Sequence, residues 1–326
     1  MPPPVTSSSK GDFLLDANFS AATRKLYARA LAKFVRWYKS NGFVYRLADA
    51  SSADSLFVDW FGELYEERNG RGRTSAQHAL FGALAAIPSW RGNSNFPLSR
   101  MALSGWKRLR PPVSYPPLTW PLTCVIALRA AQLGYVNAAV GFLVSFSGLL
   151  RVSELSRLTA RDVVLKKDPR LGVPISASIA LLCLRKTKRQ RVQFAMVDDS
   201  DVTSLLSVLV RGAPSGSDLL FPSPPTMRSV LHMVCDQLGL SSAYVPHSLR
   251  HGGATRLFLS GTPIESVMER GRWASTKSTR HYIQTGRALL VDLDTDPTLL
   301  SIAESVSSSI YSDIATAAAR RGIWKL

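Results

Sequence analysis

The 326-residue chain contains few cysteines and comparatively few acidic residues, and both shortages limit what it can be. Its three cysteines, Cys124, Cys183 and Cys235, are far apart and odd in number, so the sequence predicts neither a disulfide framework nor a zinc site. Only 23 Asp and Glu residues stand against 40 Lys and Arg residues, which leaves a net charge of +17 at pH 7. That excess favours a polyanionic partner, most commonly nucleic acid, although a basic surface can also serve solubility alone.

Long apolar runs and several familiar catalytic patterns are also missing. The most apolar stretch, YVNAAVGFLVSFSGLL at 135–150, is interrupted by polar residues and is shorter than the roughly 20 residues that a membrane span needs, so we expect a buried helix and no membrane partner. The opening MPPPVTSSSKGDF does not resemble a signal peptide; it predicts a disordered tail at 1–12 and an intracellular protein, cytoplasmic or nuclear. The sequence contains no paired-carboxylate motif, P-loop, GxSxG or HExxH, and it therefore predicts no metal and no other cofactor.

What the chain does contain is helical periodicity. The segment SAATRKLYARALAKFVRWYKSNG at 20–42 predicts a helix between an N-cap at Ser20 and a C-cap at Gly42. Its apolar face is formed by Tyr27, Leu31, Phe34 and Tyr38, and the opposite face carries the cations Lys25, Arg29, Lys33 and Arg36. A cationic stripe on one helix is usually a solvated face, but the charge of the whole chain favours phosphate contact. We therefore predict that these four cations bind DNA.

The pattern along the chain predicts two domains. Three further helices, at about 52–68, 74–88 and 99–109, precede RPPVSYPPL at 110–118, whose four prolines make it the best linker candidate. We predict a helical domain of four helices at 13–110, a linker at 111–118 and a larger domain at 119–326. In the larger domain, SASIALLCL and VQFAMV predict a β-hairpin joined by RKTKRQR. Helices are predicted there at about 119–149 with breaks near Gly134 and Gly148, and at about 153–163, 199–211, 225–239, 247–260, 263–270, 276–289 and 299–321. The fold class is mainly α with a small β-sheet.

Candidate chemistry is densest in VPHSLRHGGATRL at 245–257, where His247 and Arg250 are three residues apart and share one helical face. Arg151 precedes another helix in GLLRVSELSRL, and Tyr282 lies in STRHYIQTG. The basic turn of the hairpin adds lysines. This set suits transfer of a phosphodiester without a metal ion.

Each residue type has a role in such a reaction. Two guanidinium groups can fork onto the non-bridging phosphate oxygens and stabilise the charge that grows in the transition state. A tyrosine hydroxyl can attack phosphorus and form a covalent ester. A lysine can protonate the departing oxygen, and a histidine can assist proton transfer or hold the phosphate.

These residues resemble the tyrosine recombinases of the phage integrase family. HSLRHGGATRL is similar to the family's H-x-L-R-H-x-x-A-T box, and LLRVSEL is similar to its first arginine box, including the acidic Glu154 three positions after the arginine. GRW…HYI is similar to the third box: Trp273 lies 23 residues after Arg250, and Tyr282 lies 9 residues after Trp273. Tryptophan at this place resembles the Cre-like variant, because most members have histidine there. The ordered similarity extends from about 140 to 285.

The resemblance implies a catalytic set, which consists of Arg151, Lys186, His247, Arg250, Trp273 and the nucleophile Tyr282. Glu154 would orient Arg151 or His247, and His251 with the small Gly252–Gly253 pair would support the phosphate-binding helix. Lys186 occupies the family's lysine position in the hairpin turn, and Lys188 is the rival. Lys188 and Arg189 of the same turn would also contact DNA. This turn is alternatively compatible with a nuclear-localisation run.

The resemblance further implies a two-domain enzyme in which a core-binding domain and a catalytic domain clamp duplex DNA as a C shape. Tyr282 would leave a 3′-phosphotyrosyl bond and a free 5′-hydroxyl. Family members act as homotetramers on paired DNA sites and exchange a C-terminal helix. The segment 299–321, with its stripe Ile302, Val306, Ile310 and Ile314, is a candidate for that helix, and packing on its own domain is the alternative.

Two other functions are compatible with the sequence. One is a DNA-binding protein of the same fold whose active site has decayed. The other is a relaxing enzyme that resembles type IB topoisomerases. A relaxing enzyme would need neither a partner helix nor paired sites.

Overall fold

The computed structural model describes residues 19–43, 49–92, 95–111, 114–166, 168, 180–184 and 192–324. The chain divides into two compact units, 1–113 and 114–326. The point of division lies inside the stretch that we interpret as a linker, 111–118. The predicted tail at 1–12 lies outside the described residues. Within the described part of the chain, no helix is both long and apolar enough to cross a membrane.

The first unit is built from four described α-helices around an aromatic core. The helices are α1 (Ala21–Ser40), α2 (Ala50–Glu67), α3 (Arg73–Ala86) and α4 (Pro97–Leu109). Phe34 of α1 stacks on Phe57 of α2 with the ring centroids 4.0 Å apart, and both side chains are buried. Trp106 of α4 closes the same core and donates its indole N–H to the carbonyl of Gly70. Aromatic pairs of this kind add specific geometry to the burial of apolar area.

Helix α1 begins as predicted and ends one residue away from the prediction. The Oγ of Ser20 accepts a hydrogen bond from the amide of Thr23 at 3.1 Å, which satisfies one free N–H of the first turn. The C-cap is Asn41 rather than Gly42. Gly42 follows with a φ of +70°, the left-handed conformation that glycine adopts readily just beyond a helix.

The second unit carries ten described α-helices and a three-stranded sheet. The helices are α5 (Trp120–Gln132), α6 (Val136–Ser147), α7 (Val152–Leu155), α8 (Ser200–Gly212), α9 (Pro224–Gln237), α10 (Pro246–Leu259), α11 (Ile264–Gly271), α12 (Thr276–Tyr282), α13 (Thr285–Leu293) and α14 (Pro297–Arg320). The strands are β1 (Val163–Val164), β2 (Ala180–Leu184) and β3 (Gln193–Val197). The predicted fold class, mainly α with a small sheet, is confirmed.

The sheet is antiparallel in the order β1-β2-β3, and β2 pairs with β3 from Ala180 opposite Val197 to Leu184 opposite Gln193. Alternate residues of β2 are buried, so one face of the sheet packs on the helices. Strand β1 is only two residues long and was not predicted. The segment 185–191, which the sequence predicts to be a turn and which holds Lys186, Lys188 and Arg189, lies outside the described residues.

Two predicted helices are wrong in extent. The predicted helix at 153–163 ends at Leu155, because Thr159 and Asp162 form a separate capped turn in which the Asp162 carboxylate accepts the Thr159 amide. The predicted helix at 276–289 is two helices. The chain is extended at Ile283, where the following amide, that of Gln284, donates to the Oγ1 of Thr255 on α10 at 3.0 Å.

The long helix α14 packs on its own unit, against α5 and α8. Three residues of the predicted stripe, Val306, Ile310 and Ile314, are buried in the main core, whereas Ile302 is 50 % exposed and does not belong to the stripe. In this single chain the segment packs on its own unit, which is one of the two alternatives. The helix begins at Pro297, two residues before the predicted start, with Asp296 as its N-cap.

Candidate active site

Four segments of the second unit bring the predicted polar residues together. Arg151 is the N-cap of the short helix α7, and His247, Arg250 and His251 lie in the first two turns of α10. Trp273 follows α11, and Tyr282 is the last residue of α12. The site is therefore assembled from residues that are up to 131 positions apart in the chain, from Arg151 to Tyr282.

A carboxylate organises the arginines at the floor of the site. Glu154 is buried, and its Oε1 accepts from Nη1 of Arg151 at 2.5 Å, while its Oε2 accepts from the Arg151 amide at 2.9 Å. Oε2 also accepts from Nη2 of Arg272 at 3.0 Å and lies 3.9 Å from Nη1 of Arg250. Burial alone would raise the pKa of Glu154, but the Arg272 guanidinium, the Arg151 amide and the charges of Arg151 and Arg250 together lower it. Glu154 is therefore ionised and binds Arg151 through two hydrogen bonds.

Arg250 has no exposed surface, and main-chain carbonyls hold its guanidinium. Its Nη1 donates to the carbonyl of Leu149 and its Nη2 donates to the carbonyl of Gly271. Burial, followed by the charges of Arg151 and Arg272, lowers the pKa of Arg250 to about 9, so the group is still protonated at pH 7. No described residue accepts from its Nε.

The ring of Tyr282 lies among aromatic and cationic groups. Its centroid is 4.6 Å from that of Trp273 and 4.7 Å from that of His251, on which it stacks. The Cζ of Arg250 lies 5.3 Å from the Tyr282 centroid and 4.7 Å from the Trp273 centroid, within the range of cation–π attraction. The Tyr282 hydroxyl lies 3.2 Å from Nε2 of His247. The phenol is therefore held in one orientation with its oxygen beside an imidazole.

Both histidines of α10 are neutral near pH 7. Burial, followed by the charges of Arg250 and Arg151, lowers the pKa of His247 to about 4. Burial, followed by His247, lowers the pKa of His251 to about 3. The Nδ1 of His251 lies 2.9 Å from Nε2 of Gln284, whose amide can donate to it. A neutral His247 has one ring nitrogen free to accept a hydrogen bond, and the nitrogen nearest Tyr282 is Nε2.

The glycine pair of α10 sets the depth of the site. A Cβ on Gly252 would lie 1.8 Å from the carbonyl oxygen of Leu118, and a Cβ on Gly253 would lie 2.1 Å from that of Phe146. Both distances are far inside van der Waals contact, so only glycine lets α10 approach these backbones. The expectation that this pair allows close packing agrees with the structure. The close approach fixes where Arg250 and His247 project.

The sequence of the second unit matches a known family. The phage integrase family matches residues 126–287, a range that includes every residue of the cluster described above. Residues 126–287 are a phage integrase family domain. The chain is accordingly a tyrosine recombinase, an enzyme that cleaves and rejoins DNA strands. No curated protein sequence matches it.

Solved structures share the fold of this recombinase at low sequence identity. One is the XerH site-specific recombinase bound to palindromic difH substrate in a post-cleavage complex, with a TM-score of 0.56, 17 % identity, and coverage of 85 % of this chain and 80 % of that chain. A lambda integrase dimer bound to a COC′ core site also has a TM-score of 0.56, with 14 % identity and coverage of 85 % and 75 %. The Tn1549 transposon integrase in complex with transposon right end DNA has a TM-score of 0.54, with 14 % identity and coverage of 83 % and 99 %.

The other predicted residues of the recombinase lie outside this cluster. The candidate general acids Lys186 and Lys188, and Arg189 beside them, fall outside the described residues. On α1 of the first unit, Lys25, Arg29 and Arg36 are exposed and Lys33 is partly buried, as expected for a face available to a partner. Among the described residues, no group of three or more His, Cys, Asp or Glu side chains could hold a metal ion.

Sequence reasoning missed two residues of the site. Arg272 binds Glu154, and Gln284 bonds the ring of His251. Both stand next to predicted segments, Arg272 immediately before Trp273 and Gln284 two positions after Tyr282. Neither has a spacing that distinguishes it from a surface residue. Only its position within the GRW triplet could have drawn attention to Arg272.

Proposed function

We propose that this recombinase cuts DNA by attack of the Tyr282 hydroxyl on a phosphodiester and forms a covalent 3′-phosphotyrosyl intermediate. One observation carries the proposal. The Tyr282 oxygen lies 3.2 Å from Nε2 of His247, while its ring lies against the guanidinium of Arg250. A nucleophile within hydrogen-bond reach of a base and beside a fixed cation is the arrangement that an attack on phosphate requires.

The step balances as a transesterification. The Tyr282 oxygen forms a bond to phosphorus, and the bond from phosphorus to the 5′ oxygen breaks. The tyrosine proton passes toward Nε2 of His247, which is neutral because its pKa is lowered to about 4. The departing 5′ oxygen takes a proton from the lysine of the hairpin turn, Lys186 in the first assignment and Lys188 in the second. The 5′-hydroxyl of a partner strand then reverses these bond changes and rejoins the DNA.

Arg151 and Arg250 stabilise the phosphate as its charge increases. Arg151 is partly exposed and is anchored through Glu154, so its remaining donors can face the phosphate. Arg250 lies beneath the Tyr282 ring, and a phosphodiester reaches it once that ring tilts toward the phosphorus atom. The buried Nε1 of Trp273 has no acceptor among the described residues and can donate to a phosphate oxygen.

For the assembly, we propose duplex DNA as substrate and a homotetramer on paired sites. The net charge of +17 and the cations on α1 support a DNA-binding role for both units. The XerH and lambda integrase structures were each obtained with DNA, and the lambda integrase is described as a dimer on its core site. By analogy, this chain would pair with copies of itself on its own sites.

The test is trapping of the covalent adduct. Substrates nicked near the cleavage site lose a short 5′-hydroxyl fragment after attack, so the protein stays attached and migrates slowly on a denaturing gel. The wild-type chain should give this adduct, and Tyr282→Phe should give none while it binds DNA with nearly unchanged affinity. An adduct that persists in Tyr282→Phe, or that peptide mapping places on another tyrosine, would refute the assignment.

A second substrate identifies the general acid. A 5′-bridging phosphorothiolate has a sulfur leaving group that needs no proton, so it should restore cleavage to a variant that lacks only the acid. We expect rescue of Lys186→Ala and none of Lys188→Ala. The opposite result would transfer the role to Lys188, and rescue of neither would remove the role from this turn.

A further inference from the structure

The turn between α11 and Trp273 places an arginine in a conformation that arginine rarely adopts. Arg272 has φ +56° and ψ +37°, in the left-handed region. A glycine would occupy that region without strain, whereas a residue with a Cβ stays there only when its surroundings enforce it. The Gly271 carbonyl in the same turn accepts from Arg250, and Trp273 follows directly. The backbone conformation at this position favours glycine. The presence of arginine therefore indicates that its side chain has a role.

The contacts of Arg272 lie almost entirely inside the active-site floor. Its side chain is only 5 % exposed. Nη2 donates to Oε2 of Glu154 and to the carbonyl of Leu149, both at 3.0 Å. Nη1 donates to the carbonyls of Arg270 at 3.1 Å and Gly148 at 3.4 Å. The Leu149 carbonyl is the same oxygen that accepts from Arg250, so Arg272 and Arg250 are joined through one shared acceptor.

The contacts of the two Glu154 carboxylate oxygens explain why a third cation stabilises this residue. Its Oε1 is occupied by Arg151, and its Oε2 lies 3.9 Å from Arg250, too far for a hydrogen bond. Without Arg272, the charge of Oε2 would be opposed at close range only by Arg250 and by the Arg151 amide. The guanidinium of Arg250 would then be attracted away from the Leu149 and Gly271 carbonyls and toward the carboxylate.

We propose that Arg272 is a positioning residue: by occupying Oε2 of Glu154 and the Leu149 carbonyl, it keeps Arg151 and Arg250 oriented toward the scissile phosphate. This inference rests on the proposed function, because it assigns Arg151 and Arg250 to the phosphate. Arg272 itself does not touch the reacting atoms. It acts through the carboxylate that Arg151 and Arg250 share.

The main test measures cleavage by Arg272→Gln under single-turnover conditions at saturating DNA. The amount of Tyr282 adduct is followed over time, and DNA affinity is measured separately. Loss of a residue that orients other site residues typically costs about 10- to 100-fold, so we expect a rate loss of that size with a change in Kd below about threefold. Arg270→Gln is the matched control. Arg270 forms a bidentate ion pair with Asp198 at 2.7 and 2.8 Å on a more exposed side of the same turn, and its loss should change the rate less than about fivefold.

A pH series separates positioning from a general structural effect. The charged groups that face Glu154 among the described residues are Arg151, Arg250 and Arg272, with His247 farther away. Removal of Arg272 takes away a charge that lowers the pKa of Glu154, so the carboxylate should protonate more easily and release Arg151. His247 stays neutral above about pH 5. The rate of Arg272→Gln relative to wild type should therefore fall further as the pH is lowered from 8 to 5, whereas a ratio that is constant with pH would overturn the proposal.

Two more variants keep the test decisive if Arg272→Gln folds poorly. Arg272→Lys retains the charge but not the fork, so it should restore the wild-type pH dependence while recovering only part of the rate. The double variant Glu154→Gln with Arg272→Gln removes the buried carboxylate and the arginine bound to it together. Its rate should be close to that of Glu154→Gln alone, because Arg272 acts through Glu154, and fully additive losses would overturn the proposal.

The outcome also distinguishes this inference from the proposed function. If Tyr282→Phe still forms the adduct, the nucleophile is wrong and the function fails whatever Arg272 does. If the adduct is on Tyr282 but Arg272→Gln forms it at the wild-type rate, the function stands and the positioning role of Arg272 is refuted.

Discussion

Replacement of Gly252 with alanine should destabilise the second unit and slow cleavage together, although alanine is the better helix former. Gly252 lies within α10, and an exposed glycine in a helix is worth roughly 1 kcal/mol less than alanine. Propensity alone therefore predicts a gain in the free energy of unfolding. The surroundings reverse the sign, because the added Cβ would lie 1.8 Å from the Leu118 carbonyl oxygen.

The size of the effect follows from the displacement. Ordinary contact between a carbon and a carbonyl oxygen is about 3.3 Å, so α10 and the Leu118 segment must separate by roughly 1.5 Å. That movement breaks the hydrogen bond from the Leu118 amide to the Ser248 carbonyl, which is 3.1 Å long. Overpacking costs about 1 to 3 kcal/mol and a lost hydrogen bond about 1 kcal/mol, so after the propensity gain of about 1 kcal/mol the net loss is about 1 to 3 kcal/mol. In a unit of this size, that lowers Tm by roughly 2 to 12 °C.

The same movement displaces the proposed catalytic groups, since Arg250 and His247 lie within two turns of Gly252. A misplacement of about 1 Å can cost about 100-fold in rate, and we expect a cleavage rate lower by that order. Thermal melting and single-turnover adduct formation would be measured on one preparation, with Gly286→Ala as control. Gly286 is helical and a Cβ there meets nothing within 4 Å, so this variant should melt no lower than wild type. A Gly252→Ala chain that melts and cleaves like Gly286→Ala would refute the packing argument.

Three further predictions follow from packing and charge. Deletion of residues 297–326 removes the buried Val306, Ile310 and Ile314, whose burial contributes about 1.5 to 3 kcal/mol each. The truncated monomer should therefore melt at least about 10 °C lower or fail to fold. An unchanged Tm would instead favour docking of this helix on a neighbour. The pKa values of His247 and His251 are lowered from 6.5 to about 4 and about 3, so the unfolded chain binds these protons first as the pH falls. The free energy of unfolding should be fully maintained above pH 6.5 and should fall toward pH 4, by up to about 1.4 kcal/mol per pH unit for each histidine. Urea titrations at pH 7 and pH 5 should show a smaller difference in the free energy of unfolding for His251→Asn than for wild type. Cleavage should continue in excess EDTA, because in the proposed mechanism two guanidinium groups supply the positive charge at the phosphate. Activity that stops on chelation and returns with magnesium would contradict this mechanism.

Local signals explain which parts of the fold could be predicted. The helices α1 to α6 follow from apolar periodicity and from Gly and Pro at their ends, and the strand pair β2–β3 follows from its runs of apolar and β-branched residues. The break between α12 and α13 could not be predicted. It depends on a hydrogen bond from the Gln284 amide to Thr255, 29 positions earlier, and no local pattern contains it. Strand β1 has only two residues, which is too short for a recognisable alternation of apolar and polar residues.

The same distinction applies to the site. Arg151, His247, Arg250, Trp273 and Tyr282 were predictable because they stand at spacings that resemble a known family, and the structure places them in one cluster. Arg272 was not, since its partner Glu154 lies 118 positions away and the pairing exists only in the folded chain. Its backbone conformation would favour glycine, so local propensity at this position points away from arginine.

The way in which the arginines are held explains how the site keeps its positive charge. Arg151, Arg250 and Arg272 surround a single carboxylate, so two positive charges remain uncompensated. A site that fixed each guanidinium with its own carboxylate would be equally rigid but nearly neutral. Here the additional donors of Arg250 and Arg272 go to the carbonyls of Leu149, Gly271, Gly148 and Arg270, which orient the groups without cancelling their charge. A phosphodiester gains negative charge as phosphorus becomes five-coordinate, and preorganised cations stabilise that state more than the ground state. In the proposed mechanism, the anchoring by main-chain carbonyls thus supports both rigidity and transition-state stabilisation, and it requires only one acidic residue.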